Sequence, residues 1–223
     1  MAVIPDKILQ LRQLLEARFG ATELKAEESF STGFTALDEV GIPRGALTEV
    51  VSEPASGPGG TLLLYGLLHA VAQRKERVVL IDGKDCFAPK GLPNGDLTRV
   101  LWSRCRVTSE AIKAADLAVR DGNVPLVILL LTLNPASELR RIPATAWHRL
   151  QMVAEKTAVT VLVFTPRAQV GCARLRLLVG GAFPLDALQL CRDEVIPALN
   201  LQIERRRIGR RYDDEKICSA SCA

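Results

Sequence analysis

The segment Pro54-Ala55-Ser56-Gly57-Pro58-Gly59-Gly60-Thr61 has the spacing of a phosphate-gripping loop and lacks its reactive parts. It follows a strand-like run, Leu47–Val51, and precedes an apolar helical run, Leu62–Val71. Strand, glycine-rich loop and helix in that order bring backbone N–H groups and a helix N-terminus to a phosphate. Set against the pattern G-x-x-x-x-G-K-T, Pro54 replaces the first glycine and Gly60 stands at the lysine. The cation that reaches the β/γ-phosphates is missing, and Pro58 removes one N–H donor. Two readings remain: a weak nucleotide cradle made by Ser56, Gly57, Gly59, Gly60 and Thr61, or a structural turn kept from an ATPase ancestor. No cofactor is expected.

Arginines form the second set of interest. Arg205, Arg206, Arg207, Arg210 and Arg211 lie close together, and Arg140 and Arg141 form a separate pair. Such a run is a solvated strand end or a contact for nucleic acid or an acidic partner. The two groups are candidates for one shared basic surface. Alanine at Arg205, Arg206 and Arg207 is expected to weaken binding without unfolding the domain. Asp82 and Asp85 bracket Lys84, which favours a solvated strand end over a metal pair. His69 and His148 have no ligand spacing around them and read as packing residues. Trp102 and Trp147 read as core or interface packing rather than as base-stacking platforms.

The elements that position these residues are those of an α/β domain. The chain has 223 residues, a net charge of +4 and 48% hydrophobic residues, enough for a sizeable core. Residues 1–28 read as an N-terminal amphipathic helix, Pro5 to Phe19, and a polar linker; this helix has docking on a partner as an alternative to covering the domain. Residues 29–211 form the core, and 212–223 a mobile polar tail. Buried strands are expected at Arg77–Asp82, Pro125–Leu131 and Val159–Phe164, with a short one at Arg99–Trp102. Helices are expected at Ser109–Arg120 and Ala144–Lys156. Antiparallel strands are expected at Arg174–Val179, Ala187–Cys191 and Leu199–Glu204, giving a mostly parallel sheet with an antiparallel extension. The six cysteines are scattered, no leader opens the chain, and no apolar run approaches the roughly 20 residues of a bilayer span. Cytoplasmic location with reduced thiols and no membrane contact is the expectation. Oligomeric state is left open.

This order of elements resembles the RecA-type recombinase core. The resembling residues are the turn Ser31-Thr32-Gly33, the pair Leu37-Asp38 and the turn Gly41-Ile42-Pro43-Arg44-Gly45. That resemblance implies a glutamate after the strand that ends in Asp82, where this chain has Lys84, and a lysine cannot take a proton from water at neutral pH. It also implies a Walker B carboxylate where the chain has Leu129-Leu130-Leu131-Thr132. The segments standing for DNA-binding loops, Leu133–Pro143 and Thr165–Cys172, look cut down. Within this superfamily the chain resembles the ImuA family of accessory proteins in bacterial mutagenic translesion synthesis. The likeness lies in Pro43–Val50, Phe87-Ala88-Pro89, Leu139-Arg140-Arg141, Ala173–Leu177 and Leu201–Arg207. It is similar, more weakly, to the cell-division inhibitor SulA.

The resemblance implies a non-catalytic RecA-like adaptor in SOS-linked translesion DNA synthesis. Its implied partners are polymerase subunits and a polymerase accessory protein, with a RecA-type recombinase and DNA as further candidates. The alternatives are an atypical nucleotide-dependent DNA-repair ATPase and a SulA-like inhibitor of the tubulin-like division protein.

Overall fold

Leucine and β-branched runs without polar alternation form strands that are buried on both faces, and here they build the centre of a seven-stranded sheet. The structure, a computed structural model, describes residues 29–53, 58–180, 183, 186, 189–196 and 199–207. The expected N-terminal helix, its linker and the tail from Tyr212 lie outside the described residues.

A two-stranded ribbon, β1 (Ser29–Phe30) against β2 (Ile42–Pro43), encloses α1 (Thr35–Val40). The alternation of strand and helix then begins with β3 (Leu47–Val51), α2 (Gly59–Gln73) and β4 (Val78–Asp82). It continues through α3 (Asn94–Leu97), β5 (Val100–Arg104), α4 (Thr108–Asp121) and β6 (Leu126–Leu130). The remaining elements are α5 (Ala136–Leu139), α6 (Ala144–Thr157), β7 (Thr160–Thr165), β8 (Leu175–Gly180), α7 (Arg192–Val195) and β9 (Asn200–Arg206). The sheet order is β5-β4-β6-β7-β3-β8-β9. Every neighbouring pair is parallel except β8 with β9.

Period-two geometry divides the core in two. One face sets Val50, Leu80, Ile128 and Leu162 against Leu63 and Leu67 of α2. The other sets Val79, Ile81, Val127 and Val163 against Ala115 of α4 and Leu150 of α6. The turn that precedes β3 is tied by a single carboxylate. Asp38 accepts hydrogen bonds from the amides of Thr32 (2.6 Å) and Gly33 (3.0 Å) and from the Thr32 hydroxyl (2.8 Å). Gly41 ends α1 at φ 73°, a left-handed position that glycine occupies without penalty.

The antiparallel extension expected in the last third is the β8–β9 pair, and one further expectation there needs correction. Strand β8 is antiparallel only to β9; its other neighbour, β3, is parallel, because the 166–174 connection returns the chain to the amino end of the sheet. Gln189, Leu190 and Cys191 form no strand, and they lead into α7, whose Glu194 carboxylate accepts the Cys191 amide at 2.7 Å. Ala187 and Leu188 lie outside the described residues. At β9 the expected wet face is wider than alternation requires: Ile203 is half exposed on this edge strand.

Glu49 holds the 166–174 connection in place. Its carboxylate is fully buried on β3 and accepts the amides of Gln169 (2.6 Å) and Val170 (2.9 Å) and the Thr165 hydroxyl (3.1 Å). Arg176 of β8 completes the shell at 2.6 Å and reaches Glu204 of β9 at 3.0 Å. A buried carboxylate with its cation removed costs about 3–5 kcal/mol. Arg176→Ala is therefore expected to lower unfolding free energy by about that amount, measured by urea denaturation. A loss under ~1 kcal/mol, the value of an exposed pair, would contradict this role.

Candidate functional site at the carboxyl ends of the strands

The carboxyl ends of β3, β4, β6 and β7 meet the N-terminus of α2, where the sequence places the phosphate loop. Ser52 follows β3, and its hydroxyl accepts a hydrogen bond from the Gly60 amide at 3.2 Å. Both residues are buried. A Cβ on Gly60 would lie 2.4 Å from the Ser52 oxygen and 2.5 Å from its Cβ. No side chain at Gly60 fits while Ser52 keeps this place. Gly59 is also confined, with Val179 Cγ1 3.1 Å from where its Cβ would stand. Thr61 is exposed, and Ser56 and Gly57 lie outside the described residues.

Asp82 is not the solvated strand end the sequence suggests. It is fully buried, and its oxygens accept the amides of Phe87 (2.8 Å), Cys86 (3.0 Å) and Lys84 (3.3 Å). The carboxylate caps its own loop. Burial, together with the charge of Asp82 3.3 Å away, pushes the Cys86 thiol up to about 12. Such a thiol is inert at neutral pH. Asp85 instead makes a two-pronged pair with Arg104, at 2.7 and 2.6 Å. Lys84 donates to the Arg106 carbonyl at 3.3 Å and lies 3.7 Å from Glu138. Glu138 accepts the amide and hydroxyl of Thr108, at 3.0 and 2.7 Å, and so caps α4. At the end of β6, Leu131 packs into the core.

Between these groups lies a cleft of about 160 Å3. Its walls are Leu64, Tyr65, Phe87, Leu130 and Phe164, with Ser52, Thr61 and Thr132 as polar members. Among the described residues, neither a cation nor a carboxylate lines it. Its wall continues into an aromatic ladder. The Arg192 guanidinium lies 4.9 Å over Tyr65, Tyr65 stacks on Phe87 at 5.4 Å, and Phe87 meets the edge of Trp102 at 5.3 Å. The Tyr65 hydroxyl donates to the Ala88 carbonyl at 2.7 Å, and burial holds its pKa above the ordinary value. Trp147 is a core residue, whereas Trp102 is half buried. Neither histidine is simple packing. His69 pairs with buried Asp96 at 2.6 Å, and His148 is exposed.

The described arginines do not form one surface. Arg140 and Arg141 are exposed just after α5, at the carboxyl end of β6. Arg205 and Arg206 sit opposite Arg176 and Leu175, at the amino end of β8. Arg205 donates to the carbonyls of Val170 (3.1 Å) and Ala173 (3.3 Å), and Arg206 to those of Gly41 (3.2 Å) and Val40. These bonds give both residues a structural role, so alanine here changes stability as well as charge. Arg207 extends the ladder through its amide to the Arg174 carbonyl at 2.6 Å. Arg210 and Arg211 lie outside the described residues. Sequence reasoning missed Arg167, which is exposed two residues beyond β7 on the same sheet end as Arg140. Its signal was a lone cation directly after a buried strand.

Among the described residues no cluster of His, Cys, Asp and Glu could hold a metal ion. No described helix is long and apolar enough to cross a membrane. No protein-family model matches the chain. Its fold is that of RecA-like proteins. The RadB recombinase crystal structure superposes with a TM-score of 0.56 at 19% identity, covering 79% of this chain and 90% of that one. Two curated proteins named Protein RecA, from Leifsonia xyli subsp. xyli (strain CTCB07) and Clavibacter michiganensis subsp. michiganensis (strain NCPPB 382), are each 29% identical to it over 131 residues. The match covers 55% of this chain but only 36% and 35% of those relatives, so the chain spans about a third of their length. Part of its sequence is thus distantly similar to proteins named RecA, and its fold is similar to that of RadB.

Two predictions follow from this geometry. Gly60→Lys is expected to lower the unfolding midpoint, because its Cβ collides with Ser52, and Ser52→Gly added to it should restore most of the loss. Equal midpoints for Gly60→Lys and the unsubstituted chain in a thermal melt would contradict the contact. The second concerns acid. Hydrogen bonds from the Thr108 amide and hydroxyl hold the Glu138 carboxyl below its ordinary value. Its contribution is therefore complete above the unfolded pKa of ~4.3 and lost as pH falls through the lower folded value. Glu138→Gln should lose less stability than the unsubstituted chain between pH 5 and 3, and parallel curves in urea titrations would refute the cap.

Proposed function

We propose that this chain is a non-catalytic RecA-like adaptor in SOS-linked translesion DNA synthesis, with polymerase subunits and a polymerase accessory protein as its partners. The observation that carries the non-catalytic part is the Ser52 hydroxyl on the Gly60 amide, which takes a helix-terminal donor that a phosphate would need. Three further features support it. Asp82 is wrapped by its own loop, Lys84 pairs with Glu138, and among the described residues no charged side chain lines the cleft. Phosphoryl transfer depends on cations and positioned acceptors around the transferred group, and among the described residues no cation or carboxylate lines this cleft.

The DNA-repair setting draws on the likeness to proteins named RecA and on the ImuA-like residues of the sequence. Arg140, Arg141 and Arg167 give the carboxyl end of the sheet an exposed positive charge. That charge suits DNA or an acidic partner surface, and a RecA-type recombinase is a further candidate partner.

The test is direct. Purified protein is expected to show no magnesium-dependent ATP turnover above the blank, and to retain translesion polymerase subunits in a pull-down at moderate salt. Turnover that disappears in Gly60→Asp would favour an ATPase instead. Retention of the tubulin-like division protein, without the polymerase subunits, would favour a SulA-like inhibitor.

A further inference from the structure

We propose that the free edge of β9 pairs antiparallel with β9 of a second copy of this chain, across a twofold axis at Gln202. This interface is independent of the adaptor role. Strand β9 ends the seven-strand order and is bonded to β8 on one side; among the described residues no strand lies on the other. In an antiparallel strand alternate residues aim their N–H and C=O groups away from the neighbour. The outer edge of β9 therefore offers a row of donors and acceptors to another strand.

Proteins blunt such edges with charge, proline or a bulge. Asn200, Leu201, Gln202 and Ile203 include neither a charge nor a proline. The bulge comes only at Glu204, because Leu177 pairs with Ile203 and Arg176 with Arg205. From there the charged side chains hold the chain's own groups. Glu204 accepts from Arg176 at 3.0 Å, Arg205 donates to the Val170 and Ala173 carbonyls, and Arg206 to those of Gly41 and Val40. The first four residues of the strand are left unguarded.

The residue pattern selects a second copy as the occupant. Leu201 and Ile203 stand opposite Val179 and Leu177 and share their face of the sheet. Leu177 and Val179 are buried, Leu201 is half-buried and Ile203 is 50% exposed, so this apolar layer runs out into solvent at the edge. A twofold axis at Gln202 sets each Ile203 opposite Leu201 of the other copy. It also sets Asn200 opposite Glu204 and Gln202 opposite itself. Two aliphatic pairs meet and no like charges oppose each other. An axis at Ile203 would leave one aliphatic pair and put Leu201 opposite Arg205. An axis at Leu201 would engage only Asn200, Leu201 and Gln202 of the strand. One patch thus serves both copies, as an isologous contact requires. So short a pairing buries less than the ~1,200 Å2 of a stable interface, so the association is expected to be weak and reversible.

The experiment is sedimentation velocity on the full chain between ~1 and ~200 µM, where a weak dimer forms by mass action. The mean mass is expected to rise from that of one chain towards that of two. Ile203→Lys, at an exposed position, sets a charge against Leu201 of the second copy and should weaken association at least about tenfold. Leu101→Lys, equally exposed but on the edge strand β5 at the far side of the sheet, should leave it unchanged. Register is tested by cross-linking. Residues directly opposite in an antiparallel pair have Cα atoms ~4.5–5.5 Å apart, which a disulfide can bridge. Mild oxidation of Gln202→Cys should therefore give a dimer whose peptides are joined to each other at position 202 in mass spectrometry. Asn200→Cys should give no such link, since Glu204 faces it. The mass of one chain throughout, a dimer that survives Ile203→Lys or is lost in Leu101→Lys, or self-linking at position 200 and not 202 would overturn the interface.

Discussion

The hydrogen bond between the Gly60 amide and the Ser52 hydroxyl, 3.2 Å long, decides what the strand ends of this sheet can do. A parallel sheet delivers its strands into loops whose backbone donors must find acceptors. In nucleotide-binding relatives of such sheets a phosphate is one of those acceptors. Here the acceptors come from the chain itself. Ser52 serves the first turn of α2, Asp82 serves the loop after β4, and Glu138 serves the first turn of α4. Glu49 does the same for the crossing between β7 and β8. The domain is stable through the groups that in an ATPase would be kept free.

The cleft beside this bond is lined by hydroxyls and by apolar side chains that are themselves nearly closed off. A lysine or aspartate facing it without a partner would be a charge costly to bury. Leu64, Leu130 and Phe164 are buried beside it, and Tyr65, Phe87 and Trp102 stack across the space between α2 and β5. Arg140, Arg141 and Arg167 are exposed beyond the carboxyl ends of β6 and β7, and Arg104 pairs with Asp85 at the end of β5.

Much of the fold was legible because period and turn chemistry are local. The runs at Leu47, Val78, Leu126 and Thr160 are apolar on both faces, and only a covered parallel sheet explains that pattern. The missing lysine at Gly60 was equally plain. What sequence could not supply was the identity of long-range acceptors. Asp82 read as a wet strand end because three amides closing on it from Lys84, Cys86 and Phe87 leave no trace in spacing. Arg205 and Arg206 read as a free cluster, although their guanidinium groups hold carbonyls more than 30 positions away in the chain. The parallel pairing of β8 with β3 had no sequence signal for a related reason: a nine-residue crossing without a helix carries no local mark of strand order. Ser52 gave no sequence signal at all, since a serine after a strand is ordinary until a glycine helix start is packed against it.

The proposed non-catalytic role requires a phosphate end that is already satisfied, and the Gly60 amide reports on it directly. In a titration of the labelled protein with millimolar Mg-ATP, that amide signal is expected to stay in place, with slow exchange against deuterium before and after addition. A saturable shift of the Gly60 amide, with new protection across the first turn of α2, would mean that Ser52 gives way to a phosphate and that the site is open after all.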